Sequence, residues 1–350
     1  MPFARIALAL AVLALLVPAS AFAITGGAAA SRDYPYMAAL VDADGEWAGC
    51  GASLVAPDWV LTAAHCAEGT KPGEIGVRVG TQDLTDGTGE VLLAKQVLVH
   101  PRYAAPDSEA SASFDVALLQ LERPATTATT VRLVAPAQKA LWAPGAQATV
   151  TGWGGLFYPG IGGVNTTESQ LREVSVPMVS DAECGRYFYR DDALVGKFDP
   201  ATMVCAGQPY GVTDSCSGDS GGPLVVADGS ELVQVGVVSW GFGCGYPLNY
   251  GVYSRIGEAP LYDWIAQHLP QPSGAATAAA ASGTPAAQAG AAPAGAAPAP
   301  APAAAAPAAT AKKKLTKAQR RCLAKAKTRR SAKQRRVAQR RCLAPAKRRR

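Results

Sequence analysis

Residues 24–270 predict an all-β fold closed by one C-terminal helix, on three observations. Short apolar runs recur along the stretch, at residues 53–55, 97–99, 116–121 and 232–239. Clusters of Gly, Pro, Asp and Asn separate them, which is the punctuation of strands joined by turns. A helical period stands out only near the end, over residues 259–269, where Leu261, Trp264, Ile265 and Leu269 share one face. A stretch of about 247 residues can bury a substantial core.

The two ends of the chain differ from this middle. Residues 1–23 carry a single positive charge, Arg5, then an apolar run from Ile6 to Val17, then small residues. That is the three-part pattern of a secretory signal peptide, and the run is short for a bilayer span. Two Ala-x-Ala patterns, Ala19-Ser20-Ala21 and Ala21-Phe22-Ala23, offer cleavage points, so the remainder is expected to be secreted. Residues 271–311 are almost entirely Ala, Pro, Gly, Ser, Thr and Gln. They lack the apolar bulk that repays ordering and read as a disordered, semi-stiff linker.

Residues 312–350 contain 19 Lys and Arg and no acidic residue. The net charge of +6 therefore hides a split: 14 of the 33 basic residues face all 27 acidic ones, leaving about −13 on residues 1–311. Within the tail, residues 318–327 (AQRRCLAKAK) recur as residues 338–347 (AQRRCLAPAK), a period of 20. Such a charge suits anionic cell-surface polymer or nucleic acid, although no aromatic residues interleave it for base stacking.

Export places the eight cysteines in an oxidising compartment. Six lie in the middle (Cys50, Cys66, Cys184, Cys205, Cys216, Cys244) and two in the tail (Cys322, Cys342). Even numbers in both segments suit disulfides, but six cysteines alone permit fifteen connectivities. No Cys-x-x-Cys pair points to a metal site.

Three segments carry chemistry: Thr62-Ala-Ala-His65-Cys66, Asp115-Val-Ala-Leu-Leu, and Asp214-Ser-Cys-Ser-Gly-Asp219-Ser220-Gly-Gly-Pro. Peptide hydrolysis by a serine needs a base beside the hydroxyl, a carboxylate to orient that base, N–H donors for the oxyanion, and a pocket for the substrate. The chain supplies a candidate for each. The other two histidines, His100 and His268, read as packing or surface residues.

In the order His, Asp, Ser, these segments resemble the chymotrypsin/trypsin family of serine proteases over about residues 24–270. That family is the type case for the triad, so the roles are carried over from it. The resemblance implies Ser220 as nucleophile, His65 as general base and then acid, and Asp115 as the carboxylate that orients the imidazole. Gly218 and Ser220 would supply the oxyanion N–H groups. Asp214 would floor the primary pocket beside Ser215, with Gly241 and Gly251 as its walls, implying cleavage after Arg or Lys. Ser239-Trp240-Gly241 would pair with the substrate backbone as an added strand.

The same resemblance implies the pairs Cys50–Cys66, Cys184–Cys205 and Cys216–Cys244, and two six-stranded antiparallel β-barrels. It also implies activation by insertion of a new N-terminus at Ile24 beside Asp219. No propeptide is visible, so removal of the signal, or of a further dipeptide, would expose Ile24 directly. Tyr250 stands where some relatives have a tyrosine at a sodium site, and reads here as packing. Thr81 replaces a carboxylate of the family's calcium loop around residues 80–90, so no metal and no cofactor are expected. Protein or peptide substrates, and a monomer, complete the expectation. The competing reading is an inactive, protease-fold adhesion protein that acts through its basic tail. Asn165-Thr166-Thr167 is a glycosylation acceptor where the producing cell glycosylates.

Overall fold

Antiparallel strands dominate the computed structural model, which describes residues 24–103, 112–155, 169–188 and 198–270. The signal segment, Asn165, the linker and the basic tail with Cys322 and Cys342 lie outside those residues. Strand β1 (Ala28–Ala29) is a short edge piece. Strands β2 (Met37–Asp42), β3 (Trp47–Ala56), β4 (Trp59–Thr62), β5 (Ile75–Val79), β6 (Glu90–Val99) and β7 (Ala117–Leu121) then close a barrel in the order β2-β3-β4-β7-β6-β5. Register shifts at Ala39/Val41, Leu54/Ala56 and Ala94/Gln96 bend the strands as closure requires.

A second barrel follows. Strand β8 (Arg132–Leu133) lies parallel on β13, and the barrel itself is built from β9 (Gln147–Gly152), β10 (Arg172–Val179), β11 (Met203–Ala206), β12 (Pro223–Asp228), β13 (Glu231–Trp240) and β14 (Gly251–Arg255). Their order is β9-β10-β11-β14-β13-β12, and β12 returns to pair with β9. The expected pair of six-stranded antiparallel barrels is therefore present. The apolar runs at residues 53–55 and 97–99 are only parts of the ten-residue strands β3 and β6. Glycines and polar residues extend both strands, because backbone pairing does not require an apolar side chain on the outer face.

Alternation explains the packing. In β2, Ala38 and Leu40 point into the first barrel, whereas Met37 and Ala39 join a cluster with Tyr34, Tyr36, Trp153 and Val225. The strand is buried on both faces and so reads as an apolar run. The second core gathers Val150, Val176, Leu224, Val237 and Tyr253, and reaches across to Leu61 and Leu118 of the first barrel. Polar groups at the barrel junction are paired: buried Ser53 donates to buried Gln234 Oε1 at 2.7 Å, and Gln234 Nε2 donates to the Gly236 carbonyl at 3.0 Å.

Helices are few. One turn, α1 (Ala64–Ala67), follows β4; α2 (Asp181–Phe188) precedes β11; α3 (Leu261–His268) ends the described chain. Helix α3 starts two residues later than the periodicity predicts, with Pro260 as its N-cap. A residue before proline is steered away from helical backbone, which excludes Ala259. Its buried residues are Leu261 and Ile265. Three disulfides join Cys50–Cys66, Cys184–Cys205 and Cys216–Cys244, the pairs that the resemblance implied.

The Ser53–Gln234 pair yields a test. Gln234→Ala should cost about 1–3 kcal/mol, because it leaves a buried hydroxyl short of its acceptor. A double variant, Ser53→Ala with Gln234→Leu, should recover most of that loss. Urea unfolding of the unsubstituted chain, Ser53→Ala, Gln234→Leu and the double variant measures the coupling, and simple additivity would mean that the bond contributes nothing.

Candidate active site

His65 is positioned by the end of β4 and the turn α1. Thr62, buried, donates to the Gly51 carbonyl at 2.9 Å, and Ala64 and Ala67 are small enough to lie flat on the barrel. The Cys50–Cys66 disulfide ties that turn to β3. Asp115, fully buried, sits just before β7 and meets His65 twice. The His65 backbone N–H donates to Oδ1 at 2.9 Å, and the ring Nδ1 lies 2.8 Å from Oδ2.

The second barrel completes the grip on Asp115. Ser239 Oγ donates to Oδ2 at 2.5 Å, and Ser254 Oγ donates to the Asp115 carbonyl at 2.7 Å. Burial disfavours a charged His65 ring, yet the hydrogen bond and negative charge of Asp115 outweigh it and hold the pKa above the ordinary histidine value. The Asp115 side also explains why Phe114 tolerates a φ of 59°. Its ring stacks on His100 at 4.8 Å and lies under the Arg102 guanidinium at 4.0 Å, so packing sustains a conformation that a bulky residue resists.

The loop that carries Ser220 is a web of backbone bonds around Asp219. This fully buried carboxylate accepts the Gly154 N–H at 2.9 Å and the Cys216 N–H at 2.8 Å. Glycine is needed at Gly221, where φ is 82° and an added Cβ would lie 2.2 Å from Thr62 Oγ1. The Ser220 carbonyl accepts the Gly51 N–H at 2.7 Å. These contacts press the loop that carries Ser220 against the strands that carry His65. Among the described residues, the N–H groups of Gly218 and Ser220 donate to no acceptor, and neither does the Ser220 hydroxyl. Catalytic contacts in an empty site are commonly long and tighten when substrate binds.

Asp214 is 3% exposed. Its Oδ2 accepts the Gly245 N–H at 3.0 Å, while Oδ1 has no hydrogen-bond partner. Burial pushes its pKa up to about 7, against the N–H bonds of Gly245 and Ser215 and with the help of the Asp219 charge. A Cβ on Gly251 would fall 2.7 Å from that free oxygen, so glycine keeps the space open; Gly241 is exposed nearby. Ser215 Oγ lies 3.3 Å from the Tyr253 hydroxyl. Ile24 is fully buried and Thr25 bridges to Asp214, which brings the expected N-terminal segment beside that carboxylate. Trp240 is half-buried and packs edge-on against Phe188 at 4.9 Å.

Other expected features fall into place by their partners. Tyr250 is buried, donates to Glu183 Oε1 at 3.4 Å and packs edge-on against Tyr187. In the loop of Thr81, Asp83 and Asp86 accept hydrogen bonds within their own turns, and Glu90 accepts the N–H groups of Thr126 and Thr127. One cluster of potential metal-ligand atoms occurs among the described residues, Cys50, His65 and Cys66, and its two sulfurs form a disulfide. The expectation for Ser239 concerned its backbone; the structure adds that its hydroxyl meets Asp115. Ser254, Gly154 and the His100–Phe114 stack escaped sequence reasoning altogether, since each acts through a contact distant in the chain.

Residues 23–265 match the family model described as Trypsin. A protein named Trypsin from Saccharopolyspora erythraea is 40% identical over 252 residues, covering 70% of this chain and 98% of that relative. Vitamin K-dependent protein C from Mus musculus is 35% identical over 252 residues, again 70% of this chain, which spans 51% of that relative's length.

A pH test isolates the state of Asp219. Burial raises its pKa from 3.8 to about 7. Between those values the folded state binds more protons than the unfolded one, so stability falls as pH rises through that window. His100 opposes this, because burial, Arg102 and His268 lower its pKa to about 4 and its contribution grows over much of the same range. In a Ser220→Ala chain that begins at Phe22, Asp219→Asn should remove part of the fall. An unchanged difference between urea midpoints at pH 4.5 and pH 7 would show that Asp219 is already ionised.

Proposed function

Because the chain belongs to the trypsin family of serine endopeptidases, we propose that it is a secreted enzyme hydrolysing peptide bonds after Arg or Lys. One observation carries the specificity: Asp214 is a buried carboxylate with an unpartnered oxygen next to Gly251. An unpaired buried charge is costly, and a substrate guanidinium or ammonium relieves that cost. A pKa near 7 without substrate falls when a cation arrives, since an opposite charge favours the ionised form.

The chemistry follows the family's triad. His65 Nε2 takes the proton of Ser220 Oγ as that oxygen attacks the scissile carbonyl. Asp115 holds Nδ1–H and stabilises the imidazolium. The N–H groups of Gly218 and Ser220, uncommitted among the described residues, receive the oxyanion. His65 returns its proton to the leaving amine; water then repeats the sequence on the acyl-enzyme. The base must be neutral, so kcat/KM rises with pH through a His65 pKa held above the ordinary value.

Activation supplies the missing counter-charge of Asp219. A free ammonium at Ile24 would ionise Asp219 and hold the Asp214 and Ser220 loops in their working arrangement. The tail at residues 312–350 is proposed to tether a monomeric enzyme to anionic polymer at the cell surface. No helix among the described residues is long and apolar enough to cross a membrane.

Two measurements test this reading. On peptides that differ only before the cut, the chain beginning at Ile24 should prefer Arg and Lys, and Ser220→Ala should abolish cleavage. Asp214→Ser should lower kcat/KM on Arg substrates roughly 10²- to 10⁴-fold, the kinetic equivalent of breaking a buried pair. Equal activity on all peptides would remove the role of Asp214. Secondly, a chain beginning at Phe22 with its N-terminus acetylated should be roughly 10²-fold less active than one beginning at Ile24. Equal rates would refute activation by that ammonium.

A further inference from the structure

Thr25 follows the expected new N-terminus and is 7% exposed, yet its Oγ1 has no hydrogen-bond partner among the described residues. A buried hydroxyl left unmatched costs stability. Valine has almost the same shape and would avoid that cost, so packing alone does not account for the hydroxyl.

The residue across from it does. Thr25 and Asp214 are antiparallel bridge partners, and the Asp214 N–H donates to the Thr25 carbonyl at 3.0 Å. Side chains of directly opposed residues stand on one face with their Cβ atoms roughly 5 Å apart, which a hydroxyl and a carboxylate can span. On that face Asp214 has an unmatched oxygen of its own, Oδ1. An orphaned donor and an orphaned acceptor therefore occupy paired positions. The Thr25 methyl confirms where the side chain lies: a Cβ on Gly245 would fall 2.5 Å from Thr25 Cγ2, and the Gly245 N–H is the group that holds Asp214 Oδ2. Thr213 has an unmatched hydroxyl too, but alternation turns it to the other face, where its methyl meets Gly26.

We propose that Thr25 is a positioning residue for the pocket that receives the substrate's positive charge: its hydroxyl turns to the Asp214 carboxylate as that group ionises and donates to it. This rests on the reading of Asp214 as the receiver of Arg or Lys, and it ties that receiver to activation. The segment that would bring an ammonium to Asp219 also brings a donor to Asp214. The other groups acting on Asp214 are the N–H groups of Gly245 and Ser215, the Tyr253 phenol, kept neutral by burial, and the Asp219 carboxylate, whose charge opposes ionisation. None of these is a cation, so donors decide how readily Asp214 ionises.

Benzamidine, an amidinium that stays charged across the range, is the probe. Its Kd is measured by calorimetry at pH 5.5 and pH 8.5 on the full chain from Ile24 carrying Ser220→Ala, alone or with Thr25→Val, Thr25→Ala, Thr25→Ser or Asp214→Ser. The complex holds Asp214 ionised at both pH values, whereas the free pocket is ionised only at the higher one. Losing a donor to the ionised form therefore weakens binding at low pH and spares it at high pH. Thr25→Val and Thr25→Ala should raise Kd roughly 10-fold at pH 5.5 and less than about 2-fold at pH 8.5, and Thr25→Ser should restore the parent values. His65 and Asp219 titrate alike in the parent and the Thr25 variants and cancel in the ratios. The urea midpoint of Thr25→Val should be no lower than the parent's, since valine keeps the shape. A loss equal at both pH values marks a packing role and overturns the proposal, as does unchanged binding in both Thr25→Val and Thr25→Ala. Binding that survives Asp214→Ser overturns the reading of Asp214 itself, and this proposal with it.

Discussion

The buried carboxylate of Asp115 is the constraint on which the candidate site depends. A fully buried acidic group persists only if its oxygens are matched by donors, and here the donors come from both barrels. His65 supplies its backbone and ring N–H groups from the first barrel, and Ser239 supplies a hydroxyl from the second. Ser254 holds the neighbouring carbonyl. Separating the barrels would strand that charge, so their docking and the placement of His65 are one energetic problem. The Ser53–Gln234 bond serves the same junction with neutral groups.

Two further carboxylates are buried without a side-chain cation among the described residues, and each has a different remedy. Asp219 receives two backbone N–H groups, and its environment fits an ammonium arriving at Ile24. Asp214 keeps one oxygen unmatched and faces the space left by Gly251. Burial raises both pKa values to about 7. Each of these groups costs stability as it stands, and an arriving positive charge would relieve that cost.

Much of this was legible in the sequence. The three motif segments located His65, Asp115 and Ser220, and the resemblance supplied the cysteine pairs found in the structure. Strand positions were legible where apolar runs are dense, as at residues 116–121. They were less so in β3 and β6, where paired backbone continues through glycine and polar residues. Ser239 shows the limit most directly: its neighbours Trp240 and Gly241 marked it as an edge residue, but nothing local indicates that its hydroxyl meets Asp115, 124 residues away.

The sequence by itself determined the division into a leader-like start, a β-rich middle, an uncharged linker and a basic tail. Composition and charge are properties of the chain order and survive any folding. It determined the residue types available for catalysis for the same reason. Only the tertiary structure decided which groups are deprived of water and which donors reach them. It left Asp214 half satisfied, placed Ser254 under Asp115, and set Thr25 across from Asp214. Burial and hydrogen bonding are relations between segments far apart in the chain, so they exist only once the barrels have closed.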